Sequence, residues 1–166
     1  VEIVLSKLEE HEISVMQNLF EFAVYDLSEL NKMNIRKSGL FEPKLQVKDL
    51  YDNSRYYLYL IQVDGQLAGF VVVKHIPEED LYYLNHFFVL RKFRRQRVGE
   101  EAAKIAFNLF PGSWRVSQFD WNVPAQQFWR KVLDRYTNGC YTESRRADHK
   151  GPCQLFSNCN NSSSAT

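Results

Sequence analysis

Five cationic side chains, Arg91, Lys92, Arg94, Arg95 and Arg97, fall within seven residues of a chain whose formal net charge is only +1. Like charges this close repel one another, so an anion from outside would relieve the crowding. Gly99 follows them, and apolar residues at Val98, Ala102, Ile105, Ala106 and Leu109 predict a helix over about 99–110. A helix start presents unpaired backbone N–H groups and a partial positive charge, and a glycine there lets a ligand reach the main chain. The chemistry this pattern can do is to cradle a phosphate, with arginines pairing to it through two hydrogen bonds. Glu100 and Glu101 sit in the first turn, where negative charge is favoured, and Glu100 precedes Lys104 by four residues. Two other readings fit the same residues: a solvated basic loop before an ordinary helix, and a nucleic-acid or nuclear-import patch. The near-neutral balance argues against the patch, because nucleic-acid affinity rests on a broad basic excess.

Elements must hold this stretch in place. Residues 1–5 read as a first strand. Val15, Leu19, Phe22, Ala23, Leu27 and Leu30 predict a helix over 14–30 with Ser14 as its start. Residues 31–46, broken by Gly39 and Pro43, read as a loop or a short helical turn. Two strands, 56–63 and 66–75, flank the Asp64-Gly65 hairpin turn. A third strong strand covers 81–90 and feeds the basic stretch. A strand over 114–121 follows, then a helix whose face carries Ala125, Phe128, Trp129, Val132 and Leu133, with Pro124 near its first turn. Residues 141–145 and 154–157 make a closing pair of strands, and 158–166 reads as a disordered tail. The order is mixed α/β, one domain over 1–157.

The chain has 166 residues, 45% apolar and 14% aromatic, which excludes a disordered class. Cys140, Cys153 and Cys159 have neither zinc-site spacing nor the density of a disulfide scaffold, so no metal is expected. No apolar run approaches about 18 residues and no signal-peptide pattern occurs, so a cytoplasmic protein without membrane association is expected.

The segment FFVLRKFRRQRVGEEAAKIAF, followed by WNVPAQQFWRKVL, resembles the GNAT (Gcn5-related) superfamily of N-acetyltransferases. The likeness covers about residues 56–135 and is closest to a subfamily of predicted acetyltransferases. It implies a GNAT-like fold: a central, twisted, mostly antiparallel sheet splayed between strands 4 and 5 and flanked by helices. Acetyl-CoA would lie in the splay. The phosphate-loop pattern falls on Arg94, Arg97 and Gly99, so amides across Arg94, Arg95, Gln96, Arg97, Val98, Gly99 and Glu100 would hold the pyrophosphate. Backbone groups of Phe88, Val89 and Leu90 would hold the pantetheine and acetyl carbonyl. Asn122 would line the CoA arm, and Ala125 would allow close approach. Arg97 stands where a loop glycine is expected. Trp129 stands where members often carry a tyrosine that protonates the leaving thiolate, so it reads as a core or CoA-packing residue; Tyr136 and Tyr141 are the nearest hydroxyls in sequence.

The implied reaction moves an acetyl group from acetyl-CoA to a primary amine, on a small molecule or a protein, by direct attack in a ternary complex. An amine with a pKa near 10 must first lose a proton. His86, ionisable and in the middle of an apolar strand, is the leading candidate base, set against a plain core histidine. Asn85 could orient a water. Tyr83, Asp120 and Glu143 are further options, and a bulge in the strand would change which of them meets the cleft. The rival reading is an acyl-CoA-binding or regulatory domain without catalysis. No nucleic acid is expected as partner; a monomer or a homodimer is.

Overall fold

The computed structural model describes residues 1–158. Asp64 and Gly65 both take positive φ (49° and 78°), the turn a two-residue hairpin needs, and fold β2 (Tyr56–Val63) against β3 (Gln66–Ile76). β1 (Ile3–Lys7) pairs with β2, and β4 (Leu81–Val89) with β3, all antiparallel. β5 (Ser113–Ser117) then joins β4 in parallel. β6 (Thr142–Arg145) and β7 (Pro152–Ser157) complete a seven-stranded sheet in the order β1-β2-β3-β4-β5-β7-β6.

Helices cover both faces, as side-chain alternation in the strands requires. α1 (Ile13–Asn31) and α2 (Val47–Tyr51) bury Met16, Leu19, Phe20, Ala23 and Val47 against Leu58, Leu60, Phe70, Val72 and Phe88. α3 (Val98–Leu109) and α4 (Val123–Thr137) bury Ala102, Ala106, Phe107, Trp129 and Leu133 against Ile61, Val71, Val73, Leu84, Trp114 and Val116. Each fully buried large side chain there contributes about 1.5–3 kcal/mol of transfer free energy. Trp114 is sealed without cost to its indole, whose N–H donates to the Phe110 carbonyl (2.8 Å).

Several expected boundaries move, each for a local reason. Ser14 does not start α1: a 3₁₀ turn at Glu10–Glu12 precedes it, and Glu9 and Glu12 exchange side-chain and backbone bonds there. α2 is too short to show a period, although its buried Val47 anchors it. β5 stops at Ser117 instead of running to 121, because the chain then turns to feed α4. Asn158, expected to open the tail, is held: its side chain accepts from the Gly112 N–H (2.7 Å) and donates to the Phe107 carbonyl (2.8 Å). Cys159 and the rest of the expected tail lie outside the described residues. No helix among the described residues is long and apolar enough to cross a membrane.

Two irregularities shape the centre. β4 and β5 pair only where Leu81, Tyr82 and Tyr83 face Ser113, Trp114 and Arg115. From Leu84 to Val89, about 20 Å of strand, β4 has no register with β5, which is the expected splay. The β3–β4 register also slips: Val72 faces His86 and Val73 faces Leu84, leaving Asn85 as a bulge. Tyr82 and Leu84 therefore pack on the α3/α4 side, while His86 and Phe88 turn to the α1 side.

Candidate functional site

The open stretch of β4 leads to the first turn of α3, where the backbone is prepared for an anion. Arg95 and Arg97 both take left-handed φ (62° and 61°). Among the described residues, no acceptor meets the amides of residues 95–100. The amides on either side are used: Arg94 N–H donates to the Arg91 carbonyl, and Glu101 N–H makes the first helical bond, to Arg97. Successive N–H groups without acceptors at a helix N-terminus are the kind of donor set that binds phosphate. Holding two arginines in the left-handed region costs about 1–2 kcal/mol each, strain of the sort kept at functional loops. At Gly99 a Cβ would come 3.0 Å from the Phe128 ring, so the glycine is what lets that ring lie on the helix start.

The cations divide into two groups. Arg91 Nε and Arg94 Nη2 donate to the two oxygens of Asp26 on α1 (2.8 and 2.7 Å), and Arg94 Nε donates to the Val89 carbonyl (3.0 Å). Burial alone would raise the Asp26 pKa, but bonds from Arg94 and Arg91 outweigh it and hold the carboxyl below its ordinary value. Lys92, Arg95 and Arg97 make no ion pair among the described residues and stay available to an anion. Part of the charge crowding is thus explained inside the chain. Gln96 donates back to the Lys92 carbonyl, and Val98 is buried. The Glu100 side chain is also buried but turns away to Arg135 of α4 (3.1 Å); Lys104 pairs with Glu101, not with Glu100 as its spacing suggested.

Aromatic rings line the α3/α4 side of the gap. Trp129 meets Phe87 edge-on (5.0 Å between centroids) and Phe128 likewise (4.8 Å). It is a core residue, and among the described residues no acceptor meets its indole N–H. Asn122 caps α4, its Oδ1 accepting from the Ala125 N–H (3.3 Å), which leaves its amide NH₂ free to donate. On the other face Phe88 packs on Phe70, and the Leu90 N–H donates to the Ala68 carbonyl.

The candidate proton carriers do not all converge. His86 stands on the α1 side with its ring edge-on to Phe20 (5.1 Å). Burial lowers its pKa from 6.5 to about 4, so it is neutral at pH 7 but a weaker base than its residue type suggests. Asn85, as the bulged residue, sits beside it in the unpaired part of β4. Tyr136 is far along α4, its hydroxyl donating to Asn108 at the last turn of α3 (2.6 Å). Asp120 is paired with Arg145, and Glu143 with Arg130. Tyr83 lies at the last β4–β5 rung, its hydroxyl 2.7 Å from Ser117 Oγ. Ser117 gave no sequence signal beyond its type, and Phe128 only its place on a helix face; the register and the helix packing bring them to the gap.

Comparison with known proteins agrees with this fold. No curated relative matches the sequence. In fold the chain is similar to an acetyltransferase from Thermus thermophilus (TM-score 0.72, 12% identity, 95% of this chain and 98% of that one). It is also similar to an acetyltransferase of the GNAT family from Staphylococcus aureus (TM-score 0.63, 14% identity, 94% and 99%). A third likeness is to aminoglycoside acetyltransferase AAC(6')-Ib in complex with coenzyme A (TM-score 0.67, 10% identity, 99% and 100%). The profile of the Acetyltransferase (GNAT) family matches residues 22–134, and the chain therefore belongs to that family.

Proposed function

We propose that this chain is an acetyl-CoA-dependent N-acetyltransferase that acetylates a primary amine directly, within one domain over 1–157. The observation that carries the reading is the row of six unpartnered amides at 95–100, placed at the end of a strand that has parted from its neighbour. Those amides fit a diphosphate, and Lys92, Arg95 and Arg97 supply charge beside it. The edge of β4 that β5 leaves unpaired from Leu84 to Val89 offers backbone groups to an extended amide-bearing arm, with the Phe87, Phe128 and Trp129 rings and the Asn122 amide as further partners. Acetyl-CoA supplies a thioester carbonyl open to attack by a neutral amine. A backbone N–H on the open edge of β4 beside the Asn85 bulge would stabilise developing oxyanion charge. His86, kept neutral by burial, accepts a hydrogen bond from the incoming amine or an intervening water. Tyr136 takes no part in this reading, since its hydroxyl is bound to Asn108.

The test is a thermal titration with acetyl-CoA together with thiol release across a panel of small amines and peptide N-termini. A rise in melting temperature plus amine-dependent release supports the enzyme. No shift at millimolar acetyl-CoA would contradict the reading, and a shift without release for any amine would favour the non-catalytic binding domain.

A further inference from the structure

The point where β4 and β5 part has its own chemistry. The opening that runs from the cradle back along β4 closes at the last paired rung, Tyr83 facing Arg115. Trp114 and Val116 point into the α3/α4 core, so Arg115 and Ser117 point to the opposite face. Tyr83 shares that face, because its neighbours Tyr82 and Leu84 pack on the α3/α4 side. The two hydroxyls meet there across the strands at 2.7 Å. Two arginines flank them: the Arg115 guanidinium lies 5.3 Å from the Tyr83 ring centroid and is itself bound to Glu79 by two hydrogen bonds (3.0 and 3.2 Å), and Arg146 Nη1 donates to Ser117 Oγ (3.3 Å). Arg146 also lies over the Phe119 ring and pairs with Asp148. The apolar cluster beneath α1 and α2 takes no residue from β5, so this hydroxyl pair is not roofed by that core.

We propose that Tyr83 and Ser117 are a proton-carrying pair at the leaving sulfur, a role that the Trp129 indole cannot fill because it has no exchangeable acid near neutral pH. The inference rests on the acetyl-CoA reading above. As the amine nitrogen bonds to the acetyl carbon and the carbon–sulfur bond breaks, Tyr83 gives its phenolic proton to the electron pair left on sulfur. The surplus proton on the attacking nitrogen returns through the Ser117 hydroxyl to the Tyr83 oxygen. The products are a neutral amide and a thiol, and the pair ends as it began. The Arg146 guanidinium, bonded to Ser117 Oγ, offsets part of the negative charge on the hydroxyl pair meanwhile.

The test needs no acceptor amine. A hydroxyl beside the sulfur favours the thiolate of bound CoA and lowers its pKa. CoA is bound to the wild-type chain and to Tyr83→Phe and Ser117→Ala, and its S-alkylation is followed across pH by quantifying alkylated CoA, so that protein thiols do not interfere. Tyr83→Phe should bind CoA within about two-fold of wild type, yet slow alkylation about ten-fold at pH 7, the scale of one charge-assisted hydrogen bond. Ser117→Ala should slow it less. Identical alkylation profiles for wild type and Tyr83→Phe would overturn the inference while leaving acetyl-CoA binding intact. Failure of wild type to bind CoA would overturn the reading beneath it.

Discussion

A single atom decides much at Gly99. Its absent Cβ leaves room for the Phe128 ring, and its amide is one of the six without an acceptor. Gly99→Asp adds a carboxylate that suits the second position of a helix but opposes a bound phosphate. Its Cβ must also displace the Phe128 ring, so the melting temperature should fall by about 2–10 °C, for a crowding cost of about 1–3 kcal/mol, while the folded chain should bind acetyl-CoA about 100-fold or more weakly; calorimetric titration below the transition checks this, and unchanged affinity would remove the cradle from the account. His86 gives a second prediction. Its pKa is lower in the folded chain than the ordinary 6.5, so the unfolded chain takes up the proton first as pH falls. The histidine's contribution is whole above pH 6.5 and is lost as pH falls toward 4. Between about pH 7 and 4.5 the wild type should lose about 2–3 kcal/mol more stability than His86→Leu. Urea unfolding at both pH values measures the difference, and parallel losses would contradict a buried, neutral imidazole. At this scale the sequence was informative about residue types. It showed the crowded cations but not that Asp26, 65 residues before Arg91, takes two of them. It showed an odd histidine, but its pKa depends on burial, which only the tertiary fold supplies.

Among the elements, the β4–β5 junction does most to build the site. The end of β4 is pressed against β3 at Gly69, where a Cβ would stand 1.9 Å from the Phe88 carbonyl oxygen. That contact is with backbone, so it cannot be relieved by a rotamer change. Gly69→Ala should cost about 3 kcal/mol or more and displace the residues that enter the phosphate loop. Unfolding by denaturant measures the cost; a loss below about 1 kcal/mol, nearer the scale of a surface substitution, would mean β3 and β4 are farther apart. The strands and long helices were legible because hydrophobic period and turn chemistry are local. β2 and its Asp64-Gly65 turn fell where the pattern placed them. The bulge at Asn85 was not legible, because a bulge is a property of two strands in register. Nor was α2, whose five residues are too few for a helical period.

For the molecule as a whole, the two helical layers leave one gap in a seven-stranded sheet, with donors at one end and a hydroxyl pair at the other. A ligand that fills the gap only in the folded state should stabilise it by about 2.7 kcal/mol at about 100 times its dissociation constant, a rise of roughly 5–10 °C in melting temperature for a chain of this size. The opening of the sheet was foreseen from the family resemblance and not from composition or period. Those properties fix which strands exist but say little about where two of them cease to pair. The most direct measurement is a ¹H–¹⁵N correlation spectrum of the labelled chain titrated with CoA. The amides of residues 95–100 should move together and saturate with the binding curve, the largest changes at Arg97, Val98 and Gly99. If CoA binds while those six resonances stay fixed, the diphosphate lies elsewhere and the central claim is wrong.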